Sequence, residues 1–145
     1  LVAFGDIVVK RHIIQALLEE AGPGITLAVD SGLAGAAADD RALADRADSG
    51  RFSFDEVQLC AIGDDVPSAG SHGVWIGLLH LGLDGAGWLV EALREARAAG
   101  TLRAARLTDL LARVLERGHP VRVVYSRGGW VNVNDLADLI DASGL

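Results

Sequence analysis

The sequence predicts an α/β fold, a mostly parallel sheet flanked by helices. Three observations carry that prediction. Residues 1–29 read as strand, helix, strand with tight connections, the pattern of a parallel βαβ unit. Further along, two amphipathic helices lie between two strongly apolar stretches, 74–81 and 121–125. Finally, half of the 145 residues are hydrophobic and only 5% are aromatic, so Ala, Gly, Leu and Val carry the apolar content. Small residues let helices pack closely on a sheet.

The elements follow in order. Leu1–Phe4 reads as the end of a buried strand, followed by Gly5-Asp6. A helix is predicted over residues 8–21, because Val9, Ile13, Ile14, Leu17, Leu18 and Ala21 recur at helical spacing. Gly22-Pro23-Gly24 stops it, and residues 25–29 form a short apolar strand ending at Asp30. Residues 31–50 are rich in Ala, Gly, Asp and Arg and have no continuous apolar face. They read as a mobile segment with some helix. Strands are expected at 52–54 and 56–62, with Cys60 a buried, inert thiol in the second. Residues 63–72 read as a loop, and 74–81 as a strand.

Two helices are expected next. The first covers 85–99, with Trp88, Leu89, Ala92, Leu93 and Ala96 on one face. The second covers 103–117, with Leu107, Leu110, Leu111, Val114 and Leu115 on one face. Gly100 and Gly118 suit the residue just past each helix end. A strand at 121–125, a turn at Arg127-Gly128-Gly129 and a short strand at 130–133 follow. Asn134 is expected to cap a final helix, 135–142, with Leu136, Leu139 and Ile140 inward. No repeat and no linker divides the chain, so residues 1–145 read as a single domain.

Composition narrows the function classes. The net charge is −7 and the 13 Lys and Arg residues are scattered, whereas nucleic-acid binding needs clustered basic residues. Nucleic acid is therefore not an expected partner. Cys60 is the single cysteine, which excludes an intramolecular disulfide and a Cys-based zinc site. No signal peptide and no run long enough to span a membrane is seen, so a cytoplasmic location is expected and a membrane partner is not. The chain has no Met and starts with Leu1 inside an apolar run. The expectation is a piece of a longer protein.

Asp6 is the first candidate for chemistry. It stands at the C-terminal end of a strand and before a helix, the edge of an open sheet where ligands bind. A carboxylate there can hold Mg²⁺ and, through it, phosphate groups; Asp after Gly at a strand end is also a common helix cap. The second candidate is the stretch Trp130 to Leu136. Alternation places Trp130, Asn132 and Asn134 on one side and Val131 and Val133 on the other. Asn132 has equal claims as a pocket residue and as an ordinary strand residue. His72 lies in a Gly-rich loop, and His12 and His119 lie beside helix ends; all three suit solvated roles. Arg127 suits an exposed turn, or a contact with phosphate or carboxylate. No Ser/His/Asp set and no His/Glu metal spacing is present.

The order of the motifs adds a resemblance. Phe4-Gly5-Asp6-Ile7, a helix, then Leu27-Ala28-Val29-Asp30-Ser31 resembles the middle of the MobA-like and sugar-phosphate nucleotidyltransferases, which read YGDI, helix, VDS. Gly73-Val74-Trp75-Ile76-Gly77-Leu78 looks like their GEFIG strand. Gly118-His119-Pro120-Val121, and then Gly129-Trp130-Val131-Asn132-Val133-Asn134-Asp135-Leu136, looks like their closing G-x-P-V and GWLDVDDL. The nearest likeness is to the domain fused behind phosphoenolpyruvate phosphomutase in phosphonate biosynthesis. The resemblance spans residues 2–143.

It implies a partial Rossmann-like nucleotidyltransferase fold, the C-terminal half of that domain. The implied reaction moves a nucleoside monophosphate, commonly CMP from CTP, onto a phosphonate or phosphate acceptor, with Mg²⁺ as cofactor. Its metal ligands map onto Asp6 and Asn132. The partners implied are a nucleoside triphosphate and a small acceptor. The family's Gly-rich loop with Arg and Lys is absent, so no nucleotide-binding residue is expected in this chain and the chain alone is expected to be inactive. Asn132 stands where relatives carry Asp, and Val74 where they often carry Glu. A non-catalytic α/β assembly module attached to a phosphomutase is the alternative, and an apolar surface left by the absent half would favour a homodimer.

Overall fold

The computed structural model describes residues 1–36, 38, 41–46 and 57–145. The main sheet contains β1 (Val2–Ala3), β3 (Ile25–Asp30), β4 (Arg41–Arg46), β5 (Val57–Ile62), β6 (Gly73–Leu81) and β7 (Val121–Ser126). Their order is β1-β6-β3-β7-β5-β4, with β4 also touching the start of β6 through Arg41 and Ala42. A small second sheet pairs β2 (Ile7–Val9) with β8 (Trp130–Asn132). The helices are α1 (Arg11–Glu19), α2 (Leu83–Ala98), α3 (Leu107–Glu116) and α4 (Leu136–Ala142).

The predicted α/β layering is what the chain adopts. Its sheet is mixed. Among the described strands, β1, β3, β4 and β7 run one way and β5 and β6 the other, and β3–β7 is the parallel hydrogen-bonded pair. The expected unit over residues 1–29 keeps its sense, but its strands are not neighbours, because β6 is inserted antiparallel between β1 and β3. A long crossover leaves room for a strand that arrives later in the chain.

Strand β3 is buried at every residue. Ile25, Leu27 and Val29 face a core built with Trp75, Leu79, Ala92, Ala96, Leu111 and Val114, under α2 and α3. Ala28 faces a second core with Ile13, Leu17, Ile76 and Leu78, under α1. This period-2 split is why one strand serves two layers. Helices α2 and α3 bury the faces that their spacing predicts. Each ends as expected. Thr101 N donates to Ala96 O and Gly100 N to Arg97 O, with Gly100 at φ +73°. His119 N donates to Val114 O and Gly118 N to Leu115 O, with Gly118 at φ +78°. Both patterns satisfy carbonyls left over at a helix end. Arg117 then reaches from α3 to Glu91 (2.5 Å) and Glu95 on α2. These pairs are exposed, so they steer the packing more than they stabilise it.

Several expectations need correction. Residues 7–9 form β2, so the first helix starts at Arg11 rather than residue 8. Val9 stands four positions before Ile13 and thus mimics a helical phase. Residues 41–46, expected within a mobile or helical segment, form β4, whose hydrogen bonds come from β5 and β6 rather than from any local pattern. The expected strand at 52–54 lies outside the described residues. Cys60 is exposed rather than buried, because the pairing with β4 passes from Leu59 to Ala61 and leaves Cys60 as the extra residue of a bulge. The cap of α4 is Asp135, not Asn134: its Oδ1 accepts from Ala137 N (2.7 Å) and Asp138 N (3.0 Å). Asp138 reaches back to Asn134 N and Asp135 N, which completes a capping box. Leu136, Leu139 and Ile140, expected inward, are 74%, 53% and 66% exposed. The helical face exists, but no described element covers it.

Strand β1 is anchored by one close approach. Phe4 N donates to Gly77 O (3.0 Å), and the Phe4 ring meets Trp75 edge-on at 5.0 Å. Gly77 sits at φ +78°, and a Cβ there would lie 2.3 Å from the Phe4 ring. Gly77→Ala therefore adds backbone strain to overpacking, and should lower unfolding stability by about 2–4 kcal/mol in urea titration. Gly22→Ala is the control, because a Cβ there meets nothing; an equal loss in both variants would refute the close approach as the cause.

Candidate functional site

The backbones of Asp6 and Asn132 run side by side. In the β2–β8 ribbon, an antiparallel pair shaped like a hairpin but with no turn joining its strands, Ile7 pairs with Asn132, Val8 with Val131 and Val9 with Trp130. One step beyond, Val133 N donates to Asp6 O at 2.6 Å. Asp6 and Asn132 therefore lie on adjacent backbones, and both are exposed. Asp6 follows the C-terminal end of β1, and β8 follows that of β7, so the hairpin sits at the sheet edge where the parallel strands end. Cross-strand partners share a face, and Ile7, Val9 and Trp130 pack against the core under α1. By alternation Asn132 is on the face of Ile7, at its exposed end, and Asp6, one residue before Ile7, leaves the strand on the other side.

A third residue organises this region, and the sequence reading passed over it. Asp30 ends β3 and is only 4% exposed. Its Oδ1 accepts from Gly32 N (2.8 Å). Its Oδ2 accepts from Gly128 N (3.1 Å) and from the indole Nε1 of Trp130 (2.7 Å). Strand alternation with Thr26 and Ala28 places Asp30 on the α1 face, and a tryptophan two residues before Asn132 needs a partner for its N–H. Those were the signals available. The glycine turn is also tied to β2, because Lys10 N donates to Gly129 O at 2.8 Å.

Of the remaining candidates, Asn134, His12, Arg127 and Val74 border this region, and His72 and His119 lie elsewhere. Asn134 donates its backbone N–H to Asp138 and is exposed. His72 is exposed in the loop before β6, where its N–H donates to Ala42 O. His12 is exposed in the first turn of α1, near Gly129. His119 is stacked on Trp88 at 4.5 Å, far from the hairpin in the fold. Arg127 is exposed, with its Cγ near Gly32. Val74 is buried. Two clefts are built from residues elsewhere: one of about 400 Å³ lined by Cys60, Ile62, Val66, Pro67, Leu115 and Glu116, and one of about 170 Å³ beside Trp88 and Arg122.

The donor set at the hairpin is hard oxygen: one carboxylate and one amide carbonyl. Among the described residues no group of three or more His, Cys, Asp or Glu could hold a metal ion. Two oxygen donors suit Mg²⁺ in one mode only. Mg²⁺ keeps several waters and is commonly bound by one or two carboxylates together with substrate phosphates, not by a closed protein cage. No helix among the described residues is long and apolar enough to cross a membrane.

No protein-family model matches this chain, and no curated protein matches it. Solved structures do. The UTP-bound UGPase of Acinetobacter baumannii is 16% identical with a TM-score of 0.60, covering 97% of this chain and 47% of its own. A protein of Bacillus anthracis described as a glucose-1-phosphate thymidylyltransferase, solved with sucrose, is 14% identical with a TM-score of 0.60, covering 98% of this chain and 52% of its own. The chain thus has the Rossmann-like fold of these proteins and spans about half their length.

Trp130→Phe keeps the ring in the core but removes one donor from Asp30. A buried hydrogen bond to a charged acceptor contributes about 1.5–3 kcal/mol. Chemical unfolding of this variant should show a loss in that range, and a loss within error of zero would mean that the indole bond carries no weight.

Proposed function

We propose that this chain is the C-terminal half of a nucleotidyltransferase domain. In its complete form the domain transfers a nucleoside monophosphate, CMP from CTP, to a phosphonate or phosphate acceptor. The observation that carries this reading is the adjacency of Asp6 and Asn132 at the sheet edge, in a fold shared with a UTP-bound UGPase. In the reaction an acceptor oxygen forms a bond to the α-phosphorus, the α–β phosphoanhydride bond breaks, and pyrophosphate leaves with that electron pair. Positioning and charge neutralisation are most of what such a transfer requires. Asp6 Oδ and the Asn132 carbonyl oxygen would be the protein ligands for Mg²⁺, which would supply that neutralisation. The resemblance assigns the grip on the triphosphate to a Gly-rich loop with Arg and Lys.

A second reading is a non-catalytic assembly module. The exposed apolar residues favour it: Leu136, Leu139 and Ile140 on α4, with Leu1, Val2 and Phe4 at the β1 edge. A neutral Asn where the resemblance implies a carboxylate points the same way. Sedimentation separates the readings in part: a concentration-dependent dimer supports assembly through this face, and turnover by the complete domain supports the enzyme.

For this chain alone, calorimetric titration with CTP and Mg²⁺ should show no binding tighter than about millimolar, a free energy of about −4 kcal/mol. A micromolar complex would mean that the residues present suffice. In a protein carrying both halves, Asp6→Ala should abolish Mg²⁺-dependent pyrophosphate release, and Asn132→Asp should raise it and lower the Mg²⁺ requirement. Identical Mg²⁺ curves for the parent and Asn132→Asp, with Asp6 still essential, would remove position 132 from the metal.

A further inference from the structure

We propose that Asp30 is the positioning residue of this site: its buried carboxylate fixes the Gly128–Trp130 turn and thereby sets where the hairpin presents Asp6 and Asn132. The proposal rests on the reading of the hairpin as the metal side of a nucleotidyltransferase.

Four observations carry it. First, Asp30 is buried, and among the described residues it forms no ion pair; its partners are N–H donors. A buried acidic group is a costly way to fill space, since an apolar side chain would serve packing better. Second, the donors come from separate places: Gly32 just after β3, Gly128 in the turn after β7, and the Trp130 indole on β8. One carboxylate thus joins three segments. Third, the turn has little rigidity of its own. Gly128 and Gly129 lie at φ +65° and +81°, where glycine moves freely unless held from outside. Fourth, the hold is passed on. Gly129 O accepts from Lys10 N, which fixes the end of β2, and β2 then brings Asp6 O to Val133 N. Asp30 touches neither candidate ligand in this chain of contacts; it acts through Trp130 and the turn.

Asp30→Asn tests this with little change of shape. The amide puts an N–H₂ among N–H donors, so the three bonds cannot all persist. Amide exchange followed by ¹⁵N NMR on this chain should rise tenfold or more at Lys10, Gly128 and Val133. The Trp130 indole resonance should shift, whereas the Trp75 indole, bonded to Leu78 O at 3.0 Å, and the amides of Leu27 and Val123 should behave as in the parent. Unchanged exchange at Lys10 and Val133 would overturn the proposal, and so would uniform acceleration across the sheet, the mark of a purely structural role. Mn²⁺ serves as the paramagnetic probe of the site. It should broaden the Asp6 and Val133 amides of the parent, and Asp30→Asn should need at least tenfold more of it; equal midpoints would overturn the proposal. If Mn²⁺ leaves the parent unbroadened, the metal reading fails, and the exchange pattern alone decides the role of Asp30. Should Asp30→Asn not fold, Trp130→Phe removes one of the three bonds and must give the same local pattern at smaller amplitude; no local change there would also overturn it.

Discussion

Everything in this structure hangs on the complete burial of β3. A strand enclosed on both faces and both edges must satisfy its backbone through neighbours and its side chains through two separate layers. Here β6 and β7 supply the edges, α2 and α3 cover one face, and α1 with the β2–β8 hairpin covers the other. The last residue of such a strand cannot reach bulk water, so a carboxylate at that position must find its donors within the protein. The local order at the sheet edge follows from that requirement, because the donors at hand belong to the glycine turn and to the hairpin.

Under the proposed function, the electrostatics of this chain do little to attract a nucleotide. A chain with net charge −7 repels a triphosphate at long range. The candidate ligands add a carboxylate and a neutral amide rather than positive charge. Under the proposed function, attraction would have to come from a divalent cation and from basic side chains. Lys10, Arg11, His12 and Arg127 are the basic residues nearest the hairpin in sequence, and all four are exposed.

Much of the layering was legible because it is periodic. The faces of α2 and α3, their glycine ends and the strands around residues 57–62, 73–81 and 121–126 follow from spacing alone. What failed had tertiary causes. Strand β4 has no local signature, since its bonds come from β5 and β6. Strand β2 imitated a helical turn through Val9. The apolar face of α4 is real, but spacing cannot say whether anything covers it. Asn134 and Asp135 are both good caps, and only geometry chooses between them. At the site, Asp6 and Asn132 were picked out and the hairpin joins their backbones. Asp30 was seen only as the end of a strand, because a three-way hydrogen bond between segments distant in sequence leaves no periodic trace.

The hairpin also dictates an order of events. Strand β2 comes from the first residues of the chain and β8 from nearly the last, so Ile7 meets Asn132 only after almost the whole polypeptide has been enclosed between them. Closing so long a loop is entropically costly until the intervening structure has drawn its ends together. The approach of Asp6 to Asn132 is thus conditional on the main sheet, whose strands β1 and β7 carry the two ends of the chain to one edge.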